Sequence, residues 1–266
     1  MIIPHKCPYC DHMFYNNAGN EADLQSEKYE HLAKHDEFKK DIDRVIGDYP
    51  NIKKYVKIKY DAQFNKNRNT HQFIQILYNH GDPQYIFLLE KFETLLKKYA
   101  NYLEGIQENI ISNKTLSDFL AFYSELEVME RLEETFNEQP NIFKSDNNQN
   151  ADFILHNKKL IVEVKTPLES KKRLFEYVQE WRQQKQLKEL GNEYPEYFKV
   201  LIINSKYNYP IFGEIQGFKI FSSDRTIFWD ACIAYNNFNG DKSNIVLNEQ
   251  IKDLIDKLTD NLLKND

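Results

Sequence analysis

Apolar residues recur at helical spacing in three stretches of the chain. From Asp82 onward they fall at Ile86, Leu89, Phe92, Leu96, Tyr99 and Leu103, one stripe of a helix that Asp82 caps and Pro83 opens. A second helix is predicted over 116–136, where Phe119, Leu120, Tyr123, Leu126 and Met129 share a face after a cap at Thr115. A third closes the chain, with Ile251, Leu254, Ile255, Leu258, Leu262 and Leu263 in phase. Between the last two the apolar residues come in short runs. FIL (153–155) and LIV (160–162) read as strands joined by the polar HNKK, and FKVLIIN (198–204) and FKIFSS (218–223) as further strands. A basic helix, SKKRLFEYVQEWRQQKQLKEL, precedes Gly191. Helix, strand, strand, helix, strand predicts an α/β fold around a mixed sheet.

This layout divides the chain into an N-terminal segment at 1–40, a helical connector at 41–114, and a domain at 115–266. No apolar run approaches the roughly 20 residues of a membrane span, and MIIPHKCPYC lacks the pattern of a secretory signal. Three cysteines, two in one CxxC, do not make a disulfide framework, so a reducing, cytoplasmic (or nucleoid-associated) setting is expected. The net charge of −6 weighs against a nucleic-acid partner. Basic stretches such as NIKKYVKIKY make the charge uneven, although a solvated face is the ordinary and preferred reading of such runs.

The hairpin carries the chemistry. A turn at Asn157–Lys158 pairs 155 with 160, 154 with 161, 153 with 162 and 152 with 163. Alternation then gives one core face of Phe153, Leu155, Leu160, Val162 and Val164. The other face holds Asp152, Ile154, Ile161, Glu163 and Lys165. Two carboxylates opposed across a ladder, with Cβ atoms about 5 Å apart, repel. A divalent cation between them reverses the sign, and two hard oxygen ligands suit Mg²⁺ (or Mn²⁺). Lys165 beside such an ion is equipment for phosphodiester hydrolysis. The alternative is a sheet face whose Glu163 and Lys165 merely pair.

Asp152, ten intervening residues, then Glu163-Val164-Lys165 resembles the D…(D/E)xK signature of the PD-(D/E)xK nuclease superfamily. The likeness covers about 115–210, with Ala151 where proline often stands. It implies a restriction-endonuclease-like mixed β-sheet flanked by helices. Asp152, Glu163 and the Val164 carbonyl would hold the metal, and Lys165 would act on the attacking water and the phosphate. A glutamate from the preceding helix often joins. At 100° per residue Glu127 falls on the apolar face and is the choice, Glu130 lies near it, and Glu125 points away. Gln179 and Gln183 resemble a polar position that relatives aim at the site.

Near the N-terminus Cys7 and Cys10 form a knuckle, and His31 and His35 stand one helical turn apart. Together they make a Cys₂His₂ set for Zn²⁺. The pattern resembles a C2H2 zinc finger, with twenty residues between Cys10 and His31 instead of about twelve. His5 and His12 are near enough to replace one ligand. The expectation is a metal-dependent endonuclease acting on DNA, restriction- or repair-type, with RNA as another substrate. A homodimer is compatible with the 82–105 stripe. From another class comes a zinc-finger module that binds nucleic acid or protein through a non-catalytic nuclease-like domain.

Overall fold

A computed structural model describes residues 5–15, 21–56, 71–100, 116–142, 151–166, 192–204, 229–236 and 241–262. The chain forms two compact units, Met1–Tyr123 and Ser124–Asp266. The segments expected at 1–40 and 41–114 therefore belong to one unit, and the boundary falls inside a helix instead of before it. Among the described residues no helix is long and apolar enough to cross a membrane.

The first unit opens with a two-stranded ribbon, β1 (His5–Lys6) against β2 (Met13–Phe14), His5 opposite Phe14. Helices follow: α1 (Glu21–Leu32), α2 (Asp36–Gly47), α3 (Pro50–Tyr55), α4 (His71–Tyr78) and α5 (Pro83–Lys98). In α2 the apolar residues Phe38, Ile42, Val45 and Ile46 lie at i, i+4, i+7 and i+8, and all four are buried. Of the α5 stripe, Leu89, Phe92, Leu96 and Tyr99 are buried, Ile86 is half-buried, and Leu103 lies outside the described residues. The carbonyl of Asp82 accepts the first helical bonds, from Tyr85 and Ile86. Short α3 has Pro50 in its first turn. Its start is closed by a carboxylate from α5, since Glu93 accepts from the backbone amides of Asn51 and Ile52, each at 2.9 Å.

The second unit follows within α6 (Leu116–Phe136), the span the sequence predicts. Its six strands lie in chain order: β3 (Asn141–Ile142), β4 (Phe153–Leu155), β5 (Leu160–Lys165), β6 (Phe198–Asn204), β7 (Ala231–Asn236) and β8 (Asp241–Val246). β5, β6 and β7 are parallel; the other neighbours are antiparallel, so the sheet is mixed. The parallel centre is buried on both faces, which is why these strands read as unbroken apolar runs. A 3₁₀ turn, Glu249–Ile251, leads into α7 (Lys252–Leu262), which packs on β7 and β8.

Three of the expected hairpin pairs form, Phe153 with Val162, Ile154 with Ile161 and Leu155 with Leu160, and the expected pair of Asp152 with Glu163 is not part of the ladder, because β4 begins at Phe153. The hairpin turn is different in detail. The His156 carbonyl accepts from the Lys159 amide at 3.2 Å, and the left-handed residue is Lys159 (φ 51°), not Asn157. Asn157 instead donates its amide to Glu138 at 2.8 Å. The hairpin's second face is covered as well: Ala151, Ile154 and Ile161 form a small core beneath Tyr194 and Tyr197. Strands β3, β7 and β8 had no clear signal in the sequence. The basic helix before Gly191, with Gln179 and Gln183, and the FKIFSS strand lie outside the described residues.

Candidate metal centres

The N-terminal ligands come from three places. The ribbon turn presents Cys7 and Cys10, held by two bonds: the Cys7 amide reaches His12 O at 2.9 Å, and the Tyr9 amide points at Cys7 Sγ at 3.4 Å. His31 sits in the last turn of α1. His35 does not continue that helix, as the one-turn spacing had suggested. The α1 end tightens, with Lys34 bonded to His31 O and His35 to Leu32 O, and His35 becomes the extended residue before α2. The four ligand atoms nevertheless gather within 4.8 Å of one another.

Their spacing matches a small tetrahedral ion. Cys10 Sγ to His31 Nε2 is 3.2 Å, Cys7 Sγ to His35 Nε2 is 3.7 Å, and the two Nε2 atoms are 3.2 Å apart. A tetrahedron with ordinary Zn–S and Zn–N bonds has edges of roughly 3.6 Å for S–N and 3.4 Å for N–N. The two thiols and two imidazoles thus form a site able to hold a metal such as zinc. Burial lowers the His31 pKa, and His12 and His35 add to this, which favours the neutral, ligating imidazole. Burial pushes the Cys7 thiol up, so binding a metal releases protons. His12 is not one of the four. Its ring stacks on His31 at 4.2 Å and meets Phe14 edge-on, bracing the ligand. His5 is exposed on β1. Tyr9 packs against His35 and Phe38 and donates to Asp41 at 2.8 Å, which ties the knuckle to α2.

The second cluster stands where the β4–β5 ladder stops. Beyond Phe153 the chain bends, and Asp152 Oδ2 accepts from the Val164 amide at 2.6 Å. The Asp152 side chain therefore takes the backbone donor that β4 leaves unpaired. A strand residue's N–H and C=O leave on one side, so the Val164 carbonyl faces the same edge. Glu163 is buried and forms an ion pair with Lys165 two residues on. Burial raises the Asp152 pKa well above the ordinary carboxylate range, and the charges of Glu163 and Glu125 push it the same way. For Lys165, burial alone would lower the pKa; Glu163, Asp152 and Glu125 outweigh it, so the ammonium is retained.

Glu125 is thus the α6 carboxylate that Asp152 and Lys165 feel, although helical phase had pointed it away. Glu127, the expected choice, is buried but lies near Asn204, whose amide reaches it at 3.5 Å and Ser124 at 3.0 Å. In the β5–β6 register Glu163 pairs with Leu201 and Lys165 with Ile203. Asn204 therefore shares the face of Val164, opposite Glu163 and Lys165. Glu130 is buried on the same helix.

No protein-family model matches the chain, and neither any curated protein nor any solved structure does.

Proposed function

We propose that the protein is a metal-dependent nuclease, of restriction or repair type, that hydrolyses phosphodiester bonds in DNA. One observation carries this reading: at the end of β5, Asp152 closes onto Val164 beside buried Glu163, Lys165 and the charge of Glu125. Burial raises the Asp152 pKa, and the charges of Glu163 and Glu125, two further carboxylates near the same strand end, push it the same way. A single hard cation relieves all three. The restriction-endonuclease-like arrangement suggested by the sequence is compatible with the mixed sheet and the antiparallel-then-parallel order around β5.

Asp152, Glu163 and the Val164 carbonyl would hold Mg²⁺ or Mn²⁺, which supplies an activated water and offsets phosphate charge. Lys165, ion-paired with Glu163, would orient the attacking water and contact a phosphate oxygen. Glu163 positions that ammonium through their ion pair. In the other unit Cys7, Cys10, His31 and His35 would hold Zn²⁺ and fix the N-terminal ribbon.

Plasmid cleavage with Mg²⁺ or Mn²⁺ tests the reading. Lys165→Ala is expected to lose at least about 100-fold in rate, the scale of a lost transition-state donor. Glu125→Gln is expected to cost more activity than Glu127→Gln. Unchanged cleavage by Lys165→Ala would sink the mechanism. No cleavage of any DNA or RNA form would favour a metal-stapled binding module, for which the tight Cys₂His₂ cluster is the supporting feature.

A further inference from the structure

The turn between α4 and α5 frames an open cavity of about 500 Å³, lined by Tyr78, Asn79, Gly81, Asp82 and Tyr85. That volume is in the range of sites for small ligands and admits one nucleotide. Tyr78 is held from behind. Its ring meets Phe38 at 5.4 Å and Tyr29 at 6.1 Å, and the Tyr29 hydroxyl is in turn within 3.3 Å of the Asn79 amide nitrogen. Lys28 extends over both tyrosines, its Nζ 5.7 Å from the Tyr29 centroid and 5.8 Å from that of Tyr78.

We propose that this cavity binds one base of a single-stranded nucleic acid, stacked on Tyr85 and Tyr78, with the adjoining phosphate turned toward Lys28. Three features select this ligand. Tyr78, half-exposed on its support of Phe38 and Tyr29, and half-exposed Tyr85 in the same lining give aromatic faces that accept any base. Lys28 already lies over Tyr78, so a ligand cation seeking that ring would meet a like charge, while a phosphate meets an opposite one. Asp82, exposed in the lining, adds negative charge at the α4–α5 turn, so the phosphate is placed toward Lys28 instead. The inference goes beyond strand cleavage and does not rest on it, because a stacking pocket serves a binding module equally.

Fluorescein-labelled oligodeoxycytidylate and oligocytidylate of about ten nucleotides are titrated with the full chain, zinc-loaded and without added magnesium. Anisotropy reads binding whether or not the strand can be cut, so failure of the nuclease reading leaves this result intact. Saturable binding of at least one probe is expected, and the two arms tell DNA from RNA. Tyr85→Ala should weaken it about 5- to 100-fold, whereas Tyr85→Phe keeps the stack and stays within about two-fold. Lys28→Gln should weaken binding and flatten its salt dependence, a readout that loss of packing would not move. The proposal is overturned if neither probe saturates. It is also overturned if Tyr85→Ala and Lys28→Gln both bind like the parent, or if a trimethyl-lysine peptide occupies the cavity in preference to both oligonucleotides.

Discussion

Removing one thiolate from the N-terminal cluster tests how much of the first unit depends on metal. Cys10→Ser takes away a ligand 3.2 Å from His31 Nε2 and leaves the surrounding apolar contacts in place. The ribbon it belongs to has strands of only two residues, far below what stands alone in water. What holds it is the ligand set, the Tyr9–Asp41 bond and the buried side chains of Cys7 and Phe14. A site that binds free zinc at about 1,000 times its Kd contributes about 4 kcal/mol through mass action. The first unit spans Met1–Tyr123. For a unit of that size each kcal/mol moves Tm by about 4 °C. Chelation, or Cys10→Ser, is therefore expected to lower Tm by about 16 °C. Bound zinc, read by atomic emission, should fall from near one equivalent to less than about half. His12→Ala should keep its zinc, since His12 only stacks on a ligand. Two results would refute the reasoning: a zinc-free protein that melts where the loaded one does, or a Cys10→Ser protein that retains a full equivalent.

Asp152 has a pH signature of its own. Its pKa is raised in the fold from about 3.9 in an unfolded chain. The stability tied to its proton is therefore fully present below about pH 4 and lost as pH rises through the raised value. Melting from pH 4 to 8 without divalent metal should show a decline that Asp152→Asn flattens and Mg²⁺ reverses; equal slopes in both proteins would remove the carboxylate cluster as the cause. Glu93→Ala deletes the acceptor for two backbone amides and the Asn51 side chain at the start of α3. Urea unfolding should show a loss of about 2 kcal/mol, and Glu93→Gln should recover part of it.

The hairpin and its register could be read directly from the chain. Two short apolar runs, FIL and LIV, flank the polar HNKK, and a tight turn there leaves few pairings, Phe153 with Val162 among them. The Cys₂His₂ set was also legible, from residue types close together in a chain with few cysteines. So was the extent of α6, Leu116–Phe136, through its apolar spacing, while the expected cap at Thr115 lies outside the described residues. Tertiary structure decided what depends on meeting a neighbour. Helical phase ranks Glu127 above Glu125 by burial, but burial does not say which sheet face a side chain meets. Glu127 lies 3.5 Å from the Asn204 amide, whereas the charge of Glu125 reaches Asp152 and Lys165. The single-helix picture of His31 and His35 failed because a tightened helix end gathers the same atoms as a regular turn. Strands β7 and β8 had little alternation to show. β7, with small residues at Ala231 and Ala234, is buried on both faces between its neighbours, so no polar face was there to mark its period. Local pattern determined which residues belong to each element; the faces those elements present to one another, and hence which carboxylate charges reach Asp152, were decided only by packing.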